Sequence, residues 1–188
     1  MARGIGRAVG EGIGIFVRKA AAKFKKVTRG ATDALDGGSR TPIRAFDPDS
    51  IGPRRPSARP TLEGEDILMT PGDGLQSRLS GRFDNVVHGT HGDRSTSYLW
   101  TIDQRGVNTA LESTPWPTPR GNIVHTNLSR EASIGGEAWF GPNDTVTINA
   151  GSGRFGDAAG ITPGQWDAAA DAWRSLGYTV NPIPYGSR

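Results

Sequence analysis

The chain has 188 residues, only 35% of them apolar, with 27 Gly and 13 Pro; this suits one loop-rich domain plus sequence that cannot pack a core of its own. It has no Cys, which excludes disulfide scaffolds, cysteine nucleophiles, iron–sulfur clusters, thiolate zinc sites and the zinc deaminases. The net charge of +3 divides unevenly: residues 1–60 hold 13 Lys and Arg against 5 Asp and Glu, residues 61–188 hold 9 against 14, and all four lysines precede residue 27.

Residues 1–30 read as a basic amphipathic helix, with its helical pattern over about residues 8–28. Val9, Ile13, Phe16, Val17, Ala20, Phe24 and Val27 recur at helical spacing, with Arg18, Lys19, Lys23, Lys25 and Lys26 among them. Such a helix suits contact with a membrane surface or a partner, or packing on a larger parent protein. No run reaches the ~20 apolar residues of a membrane span. Arg18 and Lys19 interrupt the apolar stretch, so no secretory signal is expected. Residues 31–75, punctuated by Pro42, Pro48, Pro53, Pro56 and Pro60, read as a flexible linker. Its Arg54, Arg55 and Arg59 are either solvated or in contact with phosphates.

Residues 76–188 read as an α+β domain, a small antiparallel sheet packed against one or two helices. Strands are expected at Phe83–His88, Ser97–Asp103, Asn122–Thr126, Glu137–Phe140, Thr145–Asn149 and Tyr178–Asn181. Gly141–Asp144 reads as a hairpin turn. Thr162, Pro163 and Gln165 announce a capped helix whose Trp166, Ala169, Ala170, Trp173 and Leu176 form a core stripe, ended by Gly177.

The polar clusters fall at strand ends, where sites are commonly built. His125, Glu137 and Arg154 form a candidate catalytic set, with Arg130, Ser152, Asn149, Thr126 and His88 as candidate substrate contacts. A His and a Glu can share general acid–base work on a phosphodiester while arginines hold the phosphate. Each of the three has an ordinary structural alternative: a satisfied strand histidine, a solvent-facing carboxylate, a turn residue. His88, His91 and Asp93 suggest either a metal loop, a phosphate-binding loop or a plain polar loop. No cofactor and no metal are expected.

The pattern HTNLS, GGEAWF, TVTINAGSGRFG, then a short helix and a last strand, resembles the C-terminal toxin domains of bacterial polymorphic toxins over roughly residues 80–186. Within these it is most similar to the ribonuclease group of barnase, EndoU, the colicin nucleases and RelE. The resemblance implies a helix before a four- or five-stranded antiparallel sheet and metal-independent RNA cleavage. It also implies secretion or delivery to a target-cell cytoplasm, and a cognate immunity protein as partner beside the RNA substrate. Ser113–Pro117 partly resembles a Ser-Thr-x-x-Pro motif of such toxins. Glu112 departs from it where Lys or Arg is usual, and Arg154-Phe155 stands where some carry His-Tyr. His88-Gly-Thr90 also resembles the strand end of NAD-dependent ADP-ribosyltransferases, which would join His88 to Tyr98 and Glu137; the nine residues between His88 and Tyr98 leave little room for that fold's helix. A non-enzymatic binding module is the third expectation.

Overall fold

A computed structural model describes residues 43–156 and 159–184. The basic helix expected near residues 8–28 and the first part of the expected linker lie outside the described residues. The described chain is α+β. Its strands are β1 (Arg55–Pro56), β2 (Gln76–Arg78), β3 (Tyr98–Asp103), β4 (Gly106–Leu111), β5 (Glu131–Ala132), β6 (Ile134–Phe140), β7 (Thr145–Ile148) and β8 (Thr179–Pro182). Its helices are the short α1 (His125–Leu128) and the longer α2 (Pro163–Ser175). The main sheet runs β2-β4-β3-β6-β7-β8, and β1 pairs separately with β5. Only the β7–β8 pair is parallel, and α2 lies in the connection between those two strands.

Side chains alternate across a strand, so each face of β3 and β6 serves a different layer. Tyr98, Trp100 and Ile102 share one face with Ile134, Ala138 and Phe140, and that face packs on Trp166, Ala169, Ala170 and Trp173 of α2 and on Leu176 at its C-terminal cap. Trp173 is fully buried and meets Trp100 edge-on at 6.0 Å. The helix ends are as the sequence indicates. Thr162 Oγ1 accepts from the Gln165 amide at 3.2 Å, Gln165 Oε1 accepts from the Thr162 amide at 3.1 Å, and Gly177 takes φ +96° after the last turn. Leu99 faces the opposite side, where Met69, Leu75, Ala110, Ile123 and Leu128 form a second, smaller core.

A buried polar network ties α1 to the β3–β4 hairpin. The Arg105 guanidinium donates to the Asp103 carboxylate and to the Leu128 carbonyl. Ser129 Oγ donates to Asp103 at 2.9 Å and shares a 2.7 Å hydrogen bond with Thr101. Burial pushes the Asp103 carboxyl up, but hydrogen bonds from Arg105 and Asn108 and the Arg105 charge outweigh it and hold the group below the usual range.

The sheet, expected to be antiparallel and of four or five strands, has six strands and is mixed, because β7 and β8 run parallel. The short strands β1, β2 and β5 are not among the expected strands either, and four further differences bear on the site. Phe83–His88 is not a strand. Its amides are taken by side chains instead of a neighbouring strand: Phe83 N donates to Tyr178 Oη and Val87 N to Tyr98 Oη, each at 2.8 Å, and Asn85 turns to φ +50°. Burial pushes the Tyr178 hydroxyl up to about 12, which keeps that acceptor neutral. Asn122–Thr126 turns into α1, because Asn127 Oδ1 accepts from the Val124 amide at 2.8 Å and starts a helical turn there. The strand β4, not expected, hides Asn108 and Thr109 in the interior by hydrogen bonds to Ser77 and to the Leu99 carbonyl. Most consequentially, the described part of the expected linker is not a linker. Ile51, Met69 and Leu75 are buried, β1 pairs with β5, and the Gly52 carbonyl accepts from Ser133 Oγ at 2.8 Å. Enough large side chains are spaced among the prolines to join both cores.

A chain beginning at residue 43 is therefore expected to melt cooperatively, whereas one beginning at residue 63 loses Ile51 and β1 together. Loss of a buried Ile side chain alone costs about 2–5 kcal/mol, so thermal denaturation followed by circular dichroism will separate the two.

Candidate active site

Glu137 sits in β6 opposite Leu99 of β3, so it points to the face away from α2. Its surroundings come from the segment after β7. Asn149 Oδ1 accepts from the Glu137 amide at 2.9 Å and from the Gly151 amide at 3.0 Å, and Asn149 Nδ2 donates to Glu137 Oε2 at 2.9 Å. One side chain thus fixes the bend and one oxygen of the carboxylate. This close passage requires a glycine at position 136, where an added Cβ would lie 1.8 Å from the Asn149 carbonyl oxygen.

The Gly136 carbonyl in turn holds His125, the first residue of α1, through a 2.9 Å hydrogen bond to Nε2. A carbonyl only accepts, so Nε2 carries the proton and Nδ1 keeps its lone pair. His125 is 8% exposed. Burial lowers its pKa below the ordinary value of 6.5; the Gly136 hydrogen bond and the Glu137 charge oppose this, while Arg154 and Arg120 add to it.

His125, Glu137 and Arg154 line one cavity of about 280 Å³, floored by Leu99, Ile123 and Val124. The three candidate catalytic residues are therefore gathered from α1, β6 and the loop after β7. Arg154, however, is already engaged. It donates to the Pro60 carbonyl at 2.8 Å and forms an ion pair with Glu65, itself 5% exposed. That pair fastens the chain around residues 60–65 across the loop of residues 151–155. The same cavity is lined by Arg59, Arg94 and Arg120, whose guanidiniums make no hydrogen bond or ion pair among the described residues. Arg59 lies over Gly153, with Nη1 3.5 Å from where a Cβ would stand. Glu112 completes the wall, one carboxylate oxygen buried with no hydrogen-bond partner among the described residues.

The other expected contacts divide. Asn149 belongs to this site as the group that positions Glu137. Ser152 is buried, and its hydroxyl caps the Arg154 and Phe155 amides at 3.2 and 3.0 Å, so it shapes the loop. Thr126 and Arg130 line a neighbouring hollow. His88 lies apart, in a hollow with Arg82, Phe140 and Tyr178. His91 stands edge-on to Trp139 at 4.7 Å. The transferase set is not assembled: Tyr98 pairs with Ala138 and faces α2, Glu137 faces the other way, and His88 lines a different hollow. Among the described residues no group of three or more His, Asp or Glu could hold a metal ion. Sequence reasoning missed Arg94, Arg120, Glu65 and Glu112 as site residues and left Arg59 between solvent and phosphate. The signals available were weak: Arg94 follows a glycine-rich turn and Arg120 precedes Gly121.

Comparison of the chain with protein-family models, with curated proteins and with solved structures finds no match.

Two outcomes follow from the geometry. Gly136→Ala must displace the Asn149 carbonyl, and such overpacking costs about 1–3 kcal/mol; denaturant unfolding will read the loss. Protonation of His125 opposes folding, because the unfolded imidazole binds its proton at a higher pH than the buried one. Its stabilising contribution is thus complete above pH 6.5 and declines as pH falls below that value towards the depressed folded pKa. A His125→Gln variant is expected to lack this step in a series of melts between pH 7.5 and 4.5.

Proposed function

We propose that the chain is a metal-independent endoribonuclease that acts as the effector domain of a delivered bacterial toxin. One observation supports this above the others: a histidine with a ring nitrogen free among the described residues and an oriented carboxyl group line the same small cavity as three arginines that have no partner among the described residues. Unpartnered guanidiniums in a concave site suit an anionic ligand, and phosphate accepts from them in bidentate fashion.

In this reading the neutral His125 takes the proton of a ribose 2′-hydroxyl on Nδ1. The 2′-oxygen attacks the adjacent phosphorus as the bond to the 5′-oxygen breaks, and Glu137, reacting in its carboxylic-acid form, gives its proton to the leaving 5′-oxygen and becomes the carboxylate, while His125 keeps the proton it took. The products are a 2′,3′-cyclic phosphate end and a 5′-hydroxyl end. Arg59, Arg94 and Arg120 hold the phosphate and the charge that builds on it. Arg154, assigned to the phosphate from the sequence, serves here by pinning the segment that carries Arg59. An immunity protein would cover this cavity, and acidic side chains would suit its arginines.

The test is incubation of the full chain with total RNA in EDTA, with and without NAD. RNA fragments ending in cyclic phosphate are expected, without NAD consumption. Glu137→Gln keeps an oxygen for Asn149 but removes the acid, so the rate should fall by about 10²–10⁴ with little change in melting temperature. Intact RNA in all samples would reject the nuclease, and with no NAD consumed would leave a binding module.

A further inference from the structure

We infer that the hollow beside the candidate site is a second phosphate subsite, so that the ligand is an oligonucleotide bound through at least two adjacent phosphates. The inference rests on the nuclease reading for its ligand class, and on separate residues for its geometry. The hollow has a volume of about 380 Å³ and shares Arg59 and Glu65 with the wall of the first cavity, so the two meet there. Arg130 lines it and is exposed, with no hydrogen bond or ion pair among the described residues. Thr126 also lines it. That residue is 2% exposed, and its hydroxyl is buried without any hydrogen-bond partner. A buried hydroxyl left unpaired is costly, and a ligand oxygen would satisfy it.

The charges favour an anion over a cation. Glu65 is neutralised by Arg154; of the other charged groups lining the hollow, Arg59, Arg130 and Asp66 are all exposed and have no ion pair among the described residues, which leaves two positive charges against one negative. Thr126 follows His125 directly, so one turn of α1 lines the first cavity with His125 and the second with Thr126. A chain whose scissile phosphate lies by His125 carries its next phosphate past Arg59 toward Thr126 and Arg130.

The experiment measures binding of 2′-deoxy oligonucleotides, which cannot be cleaved by this chemistry, to the full chain. A dinucleotide with one phosphate is compared with a trinucleotide with two. The trinucleotide should bind about tenfold more tightly, as one further charge-assisted contact provides. Arg130→Gln should abolish that advantage and Thr126→Val should reduce it, both with the dinucleotide affinity unchanged. Equal affinity for the two, no binding of either, or an advantage that survives in Arg130→Gln would overturn the subsite. The matching ribo-oligonucleotides separate this from the nuclease reading. Cleavage without the trinucleotide advantage removes the subsite alone. The advantage without cleavage keeps the subsite and removes the nuclease.

Discussion

The absence of a side chain at Gly136 is the constraint on which the candidate site depends. The Asn149 backbone crosses where a Cβ would have to stand. Because it crosses there, the Asn149 amide reaches both the backbone and the carboxylate of Glu137. The Gly136 carbonyl is left to hold His125. A β-strand centre is a poor place for glycine on entropic grounds, since it packs nothing and loses much freedom. Here its cost is offset by close approach of a second backbone. The candidate pair His125 and Glu137 is thus set by a strand, a bend and a helical turn that converge on one residue.

A second fastening closes the site from the side. Arg154 and Glu65 are both largely buried, with side chains 14% and 6% exposed. Removing one partner of such a pair strands a charge, which is more damaging than the pair is stabilising. The pair joins two chain segments far apart in sequence, and the segment it fixes carries Arg59. Its meaning lies in placement: it leaves Arg59 unpaired by occupying Glu65, the carboxylate that lines the same two hollows. At the other end of α1, the Asp103–Arg105–Ser129 network performs the matching task for the backbone that carries His125.

What could be read from the sequence was set by how local the determining contacts are. The helix α2 was legible because its cap, its stripe and its stop lie within sixteen residues of one another. The same holds for β3 and for the β6–β7 hairpin, whose turn residues Asn143 and Asp144 take φ of +55° and +56°. His125, Glu137 and Arg154 could be named from residue type and position near strand ends. Their partners could not. Tyr178 and Tyr98, which draw Phe83–His88 out of the sheet, act from a distance in sequence, and the buried Asn108 looks like any surface amide. The prolines before residue 62 suggest an unpacked tether, yet Ile51 within that stretch and Met69 and Leu75 just after it are buried in the two cores. Arg59 was weighed with that tether and so was not placed beside His125.

Its position also resolves a tension in the charge. Residues 61–188 are net negative, which argues against a broad nucleic-acid surface. Charges beyond about 10 Å are largely screened at 0.1 M salt, so a phosphate in a small cavity responds chiefly to its lining. That lining has four arginines against three glutamates, and one glutamate is already neutralised by Arg154. What faces the ligand is Arg59, Arg94 and Arg120 with Glu112 and Glu137. As a nuclease site it would hold one or two phosphates by direct hydrogen bonds and release few counterions. Under the nuclease reading, a small number of neutralised phosphates means a shallow dependence of binding on salt, in contrast to proteins that coat a duplex. The local excess of positive charge and the acidic remainder of the domain are then compatible, because under that reading a short substrate held in the cavity meets chiefly the first.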